Sequence, residues 1–167
     1  MKPKITATII LLIILCIVFF CIYIKFYKEE ITSVSINNQI YETVCGKYKK
    51  GEIIIGSKTL LVDIADDNCK KDLGLSGKTS LNQEGMIFIF EKVGNYGFWM
   101  KDMNFSIDIL WINDVFEVIG IEKSLSSDTY PKSFGGKYLA KYILEVSAGY
   151  SDKNNIKIGD KIIFSEK

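Results

Sequence analysis

The sequence predicts a compact, mostly β domain with short helices, a barrel or sandwich, preceded by one N-terminal transmembrane helix. Three observations predict it. Ile5 to Ile24 is an unbroken apolar run without charge, Gly or Pro. From Gly51 onward, short apolar and β-branched runs alternate with turn residues. No second helical pattern of any length follows, which favours a small β architecture over a bundle.

The apolar run explains why 48% of the 167 residues are hydrophobic. A helix rises ~1.5 Å per residue, so such a run covers about 30 Å, one hydrocarbon core. A secretory signal ends in small residues before its cleavage site. Here the run ends in Phe19, Phe20, Cys21, Ile22, Tyr23 and Ile24. Neither Cys16 nor Cys21 follows the small residue that lipoprotein processing needs. The segment therefore reads as an uncleaved, single-pass anchor. Lys2, Lys4 and the α-amine flank one end, and Lys25 and Lys28 the other, nearly a tie under the positive-inside rule. The short tail before the helix favours an extracytoplasmic domain. Residues 1–27 are expected to be the anchor, 28–50 a stalk or linker, and 51–167 the folded domain.

Within that domain, Glu52 to Ile55 and Thr59 to Ala65 predict a hairpin across Gly56-Ser57-Lys58. Asp66 or Asp67 can cap a short helix that ends at Gly74. Gly85 opens a strand over Met86 to Phe90, and Phe98 to Asp102 predicts another beyond the Gly94-Asn95/Gly97 turn. Ile107 to Ile112 and Val115 to Ile121 form a hairpin across Asn113-Asp114. A long loop from Ser124 to Gly136 follows, then a strand from Tyr138 to Val146. A helical turn within Ala148 to Asn155 and a strand over Lys161 to Phe164 complete the chain.

The chain has no histidine, so Ser-His-Asp and Cys-His nucleophiles and histidine-ligated metals are excluded. CxxC, P-loop and dinucleotide glycine patterns are also missing, and neither cofactor nor metal is expected. A net charge of +1, with both signs mixed along the chain, argues against nucleic acid as a partner. Cys45 and Cys69 lie outside the apolar run. They can pair if the domain faces an oxidising compartment, or stand as two unrelated thiols.

The densest constellation is Phe98-Trp99-Met100-Lys101-Asp102-Met103. On a strand, Trp99, Lys101 and Met103 would share one face and Phe98, Met100 and Asp102 the other. Each face then mixes large apolar and charged groups. It reads either as an irregular strand with a lysine stem over the tryptophan, or as a pocket wall. Asp108 and Glu145 each interrupt an apolar strand, and each needs a partner or a water-facing side. Lys101 is a reasonable counter-ion for one of them. The candidate pocket is Trp99, Met100, Lys101, Asp102, Asp108 and Glu145.

Gly74-Leu75-Ser76-Gly77-Lys78, Glu84 to Phe90, Phe98 to Met103 and Ile107-Asp108-Ile109-Leu110 occur in that order. With Tyr142 to Val146, Ala148-Gly149 and Ile158-Gly159-Asp160, they resemble the DUF192 family, also called UPF0127. The resemblance implies a small α+β domain around a barrel-like sheet, often exported or membrane-anchored, and no particular activity. The family often carries Arg at Lys78, Asn-Thr at Asp102-Met103 and Pro at Ser106. Lysine lacks the planar fork for bidentate anion binding.

Three functions follow as expectations. The first is a membrane-tethered binding or accessory module for a small molecule, glycan or peptide segment. The second is a structural or assembly component of an envelope complex, with an envelope protein as partner. The third is an enzyme using Asp108 and Glu145 as acid and base, which requires the two carboxyls to meet in one cleft.

Overall fold

The computed structural model describes residues 3–81 and 84–167. The side chains of residues 3–8, 30–31 and 33–42 lie outside that description, as do Met1 and Lys2 of the charge comparison. The chain forms two compact units, Met1–Tyr41 and Glu42–Lys167.

Helix α1 (Pro3–Cys45) supplies the first unit and enters the second. Its segment Ile9–Glu29 is long and apolar enough to cross a membrane. The stretch read as a stalk is helical as far as Cys45, and its last residues, Lys49 and Lys50, already belong to a strand.

In the second unit β1 (Lys49–Ile55) and β2 (Lys58–Ala65) form an antiparallel hairpin turning at Gly56, whose φ is +57°. Lys50 pairs with buried Asp63 across it. Asp67 caps α2 (Asn68–Leu73) by accepting the Lys70 N–H at 2.9 Å. β3 (Gly85–Asn95) then runs parallel to β2. Short strands β4 (Phe98–Trp99) and β7 (Ser133–Phe134) pair apart from the main sheet. β5 (Ile107–Ile112), β6 (Val118–Leu125), β8 (Leu139–Ser147), α3 (Tyr150–Lys153) and β9 (Ile162–Glu166) complete the unit. Between β5 and β6, the Asn113 side chain accepts the N–H groups of Val115 and Glu117, as an Asx turn does.

The main sheet has seven strands in the order β6-β5-β8-β3-β2-β1-β9. It curls so that its two edge strands approach. Val118 donates to the Asp160 carbonyl and Ile162 to the Phe116 carbonyl, each at 2.9 Å. One bridge, Glu117 to Lys161, joins the edges, so the sheet is barrel-like without being closed by a ladder.

Strand alternation divides the core in two. Ile53, Val62, Ile64, Ile87, Leu110 and Leu144 fill the inside of the curl. Met86, Phe88, Ile107, Ile109, Trp111 and Ile143 point to the other side, where Met100, Met103 and Phe134 cover them. All six residues of β5 are buried because it is covered on both faces. Gly135 has φ +84°, and a Cβ there would sit 1.9 Å from Trp111 Cζ2, so only glycine lets the backbone cross that ring.

Candidate functional site

A cleft of about 620 Å3 opens on the Met86–Phe88 side of the sheet. One wall is the end of α2 and the turn Leu73 to Ser76. The other is the segment from Tyr96 to Met103. Ser76 Oγ donates to the Lys101 carbonyl at 2.8 Å, and the Gly77 N–H to the Asp102 carbonyl at 2.6 Å, so the two walls are tied together. Trp111 Nε1 donates to the Tyr96 carbonyl at 3.0 Å and holds the far end of the second wall to the core.

Five aromatic residues, Phe88, Phe90, Tyr96, Phe98 and Trp99, line the cleft. Phe90 stacks on Tyr96 at 3.6 Å between centroids, and Phe88 meets Phe98 edge-on at 4.8 Å. Trp99 stands 58% exposed at the mouth, with Tyr130 edge-on at 6.1 Å. Lys71, Asp72, Lys101 and Asp102 line the cleft with two charges of each sign.

The strand expected over Phe98 to Asp102 ends at Trp99. Met100 to Asp102 form a turn, with the Met103 N–H on the Met100 carbonyl and Asp102 at φ +54°. Trp99, Lys101 and Met103 therefore do not share a strand face. Met100 and Met103 both enter the core, while Trp99, Lys101 and Asp102 face outward. The turn prevails because it buries both methionines and presents the Lys101 and Asp102 carbonyls to the α2 wall.

Of the six pocket candidates, Trp99, Lys101, Asp102 and Glu145 line the cleft. Met100 packs in the core behind it, 1% exposed. Asp108 lies on the other side of the sheet. In the antiparallel ladders Asp108 is opposite Val146, whereas Glu145 is opposite Ile109 and Met86. Directly opposed residues share a face and sequence neighbours do not. The two carboxyls therefore point away from each other, and this overturns the expectation that they act as an acid–base pair.

Their environments differ as much as their directions. Asp108, fully buried, accepts the N–H groups of Ser124 at 2.8 Å, Gly149 at 3.0 Å and Ser151 at 2.9 Å. It ties β6 and the start of α3 to β5, a structural role. Glu145 is 5% exposed, and among the described residues its Oε2 has no hydrogen-bond partner. Burial pushes its carboxyl up to about 8. Lys101 is not the counter-ion of either carboxylate: among the described residues it forms no ion pair.

Lys78, where the family often has Arg, is 2% exposed and sits 4.9 Å from the centroid of the Tyr48 ring, a cation–π contact. Cys45 and Cys69 form a disulfide with Cα atoms 5.5 Å apart, joining the end of α1 to α2. Sequence reasoning missed Ser76, Phe88, Phe90 and Tyr96 as cleft residues. Phe88 and Phe90 carried a signal in their period-2 spacing, which puts both rings on one strand face. Ser76 carried none, because its contact with Lys101 spans 25 residues.

The fold and the cleft define an α+β domain with a curled, mixed sheet and an aromatic, acid-lined groove. Residues 51–164 match DUF192, described as "Uncharacterized ACR, COG1430", and the chain belongs to that family. No curated protein is significantly similar to it. A crystal structure from Sinorhizobium meliloti 1021, named a "putative transcription regulator", superposes with TM-score 0.64 at 21% identity. That match covers 71% of this chain and 94% of the other. A protein of unknown function from Novosphingobium aromaticivorans DSM 12444 gives TM-score 0.58 at 24% identity, covering 68% and 83%. At these identities the likeness concerns the fold alone.

Proposed function

We propose that the chain is a membrane-tethered binding module. Ile9–Glu29 anchors it, and its domain works outside the cytoplasm, holding a small ligand in the cleft between α2 and Trp99. The observation that carries the reading is Glu145, a buried carboxyl whose Oε2 has no hydrogen-bond partner among the described residues, in a cleft with five aromatic residues. A group of that kind is costly unless something compensates for it, and its position within a groove suits recognition. The Cys45–Cys69 disulfide supports the extracytoplasmic placement, because such bonds persist in oxidising compartments.

Phenyl- and indole-bearing small molecules, followed by ligand NMR against the full chain in detergent micelles, test the reading. Trp99→Ala is expected to weaken cleft binding at least tenfold. It should shift unfolding by less than about 1 kcal/mol, since the ring is already more than half exposed. Equal loss of binding and stability would reduce Trp99 to a packing residue.

A further inference from the structure

We infer that the ligand of this cleft is an organic amine, whose ammonium pairs with Glu145 and whose apolar body lies along Phe88, Phe98 and Trp99. The inference rests on the binding-module reading and names the ligand class for that same site. Five aromatic residues line the cleft, and among the described residues its one deeply buried ionisable group is an acid whose Oε2 has no partner. The charged groups facing the cleft are Lys71 and Asp72 from α2, and Lys101 and Asp102 from the opposite wall. They balance in number, and among the described residues no cation pairs with Glu145.

A neutral alcohol can only hydrogen-bond the protonated carboxyl, and an anion would meet a like charge whenever Glu145 ionises. An ammonium supplies a positive charge and up to three N–H donors, and aromatic faces attract a cation further. The empty site holds Glu145 protonated at neutral pH, because burial places its carboxyl at about 8. The amine enters already charged, with a pKa around 10 as for a lysine side chain. Binding therefore releases the Glu145 proton to solvent, one per ligand, and leaves an ammonium–carboxylate pair in the cleft.

Three probes with one body and different heads test this on the full chain in micelles: 2-phenylethylamine, 2-phenylethanol and 3-phenylpropanoate. The amine should bind best. Its affinity should rise by up to about tenfold per pH unit from pH 6 to 8, as proton release requires, while phenylethanol stays flat. Glu145→Gln should weaken amine binding at least about thirtyfold, the scale expected for a buried charge pair that loses one partner, while retaining a cooperative unfolding transition. Preference for the alcohol or the carboxylate, a pH-independent amine affinity, or failure of the amine to bind would overturn the inference. A Trp99-dependent preference for either other probe would leave the binding-module reading standing. That reading fails only if no member of the wider fragment set shows Trp99-dependent binding.

Discussion

Replacing Glu145 with Gln should stabilise the domain, by an amount set by pH. Burial raises the carboxyl from an ordinary 4.5 to about 8. Between those values the folded state binds a proton that the unfolded state does not, so stability falls as pH rises through that window. The gap of about 3.5, at ~1.36 kcal/mol for each pH unit, amounts to about 5 kcal/mol lost by pH 8 and about 3 by pH 7. These are upper limits, because water that enters with the charge relieves part of the cost. Glutamine keeps the shape of the protonated acid and carries no charge. The variant should exceed the wild type by under about 1 kcal/mol at pH 5, rising to several kcal/mol at pH 8. The other displaced groups do not interfere. Asp66 and Asp67 are lowered from 3.8 by hydrogen bonds to Lys49 and Lys70 respectively, so the stability they add is lost only as pH falls below that value. Lys49 and Lys70 are raised above 10.5 by those same bonds, and burial raises Tyr150 above 10.0. The assay is urea unfolding of the full chain in micelles from pH 5 to 9, followed by tryptophan fluorescence. Both tryptophans, Trp99 and Trp111, belong to the domain, so the signal reports it alone. Parallel pH profiles for wild type and variant would refute the reasoning, as would wild-type stability that rises across the window.

Asp108→Ala removes the acceptor of three backbone N–H groups. At about 1–3 kcal/mol for a buried donor left unsatisfied and at the low end of that range for the two partly buried ones, it should cost about 3–5 kcal/mol in urea unfolding. Amide exchange at Gly149 and Ser151 should accelerate before the rest of the sheet is affected. Cys69→Ser opens a bridge that spans 24 residues of sequence. It should lower domain stability by about 3 kcal/mol, read by the same unfolding assay. In whole cells the wild-type pair should resist alkylation until reductant is added, and free alkylation of Cys45 without reductant would place the domain in the cytoplasm.

The sequence by itself determined what depends on local chemistry. An uninterrupted apolar run dictates a helix able to span a membrane, because a helix satisfies its own backbone in lipid. Asp67 and Gly74 bound α2 as their capping preferences require, and the Gly56 turn joins β1 to β2. These signals act within a few residues, so they survive without knowledge of the fold.

Only the tertiary structure decided the rest. Asp108 and Glu145 look alike in sequence, each a carboxylate inside an apolar strand. The register of β8 against β3 and β5 sends them to opposite faces, where one is held by three N–H groups and the other lines the cleft. The turn after Trp99 depends on carbonyl contacts with Ser76 and Gly77, some 25 residues earlier in the chain. Pairing registers and contacts of that separation are set by the summed packing of two core faces, and no short window of sequence contains them.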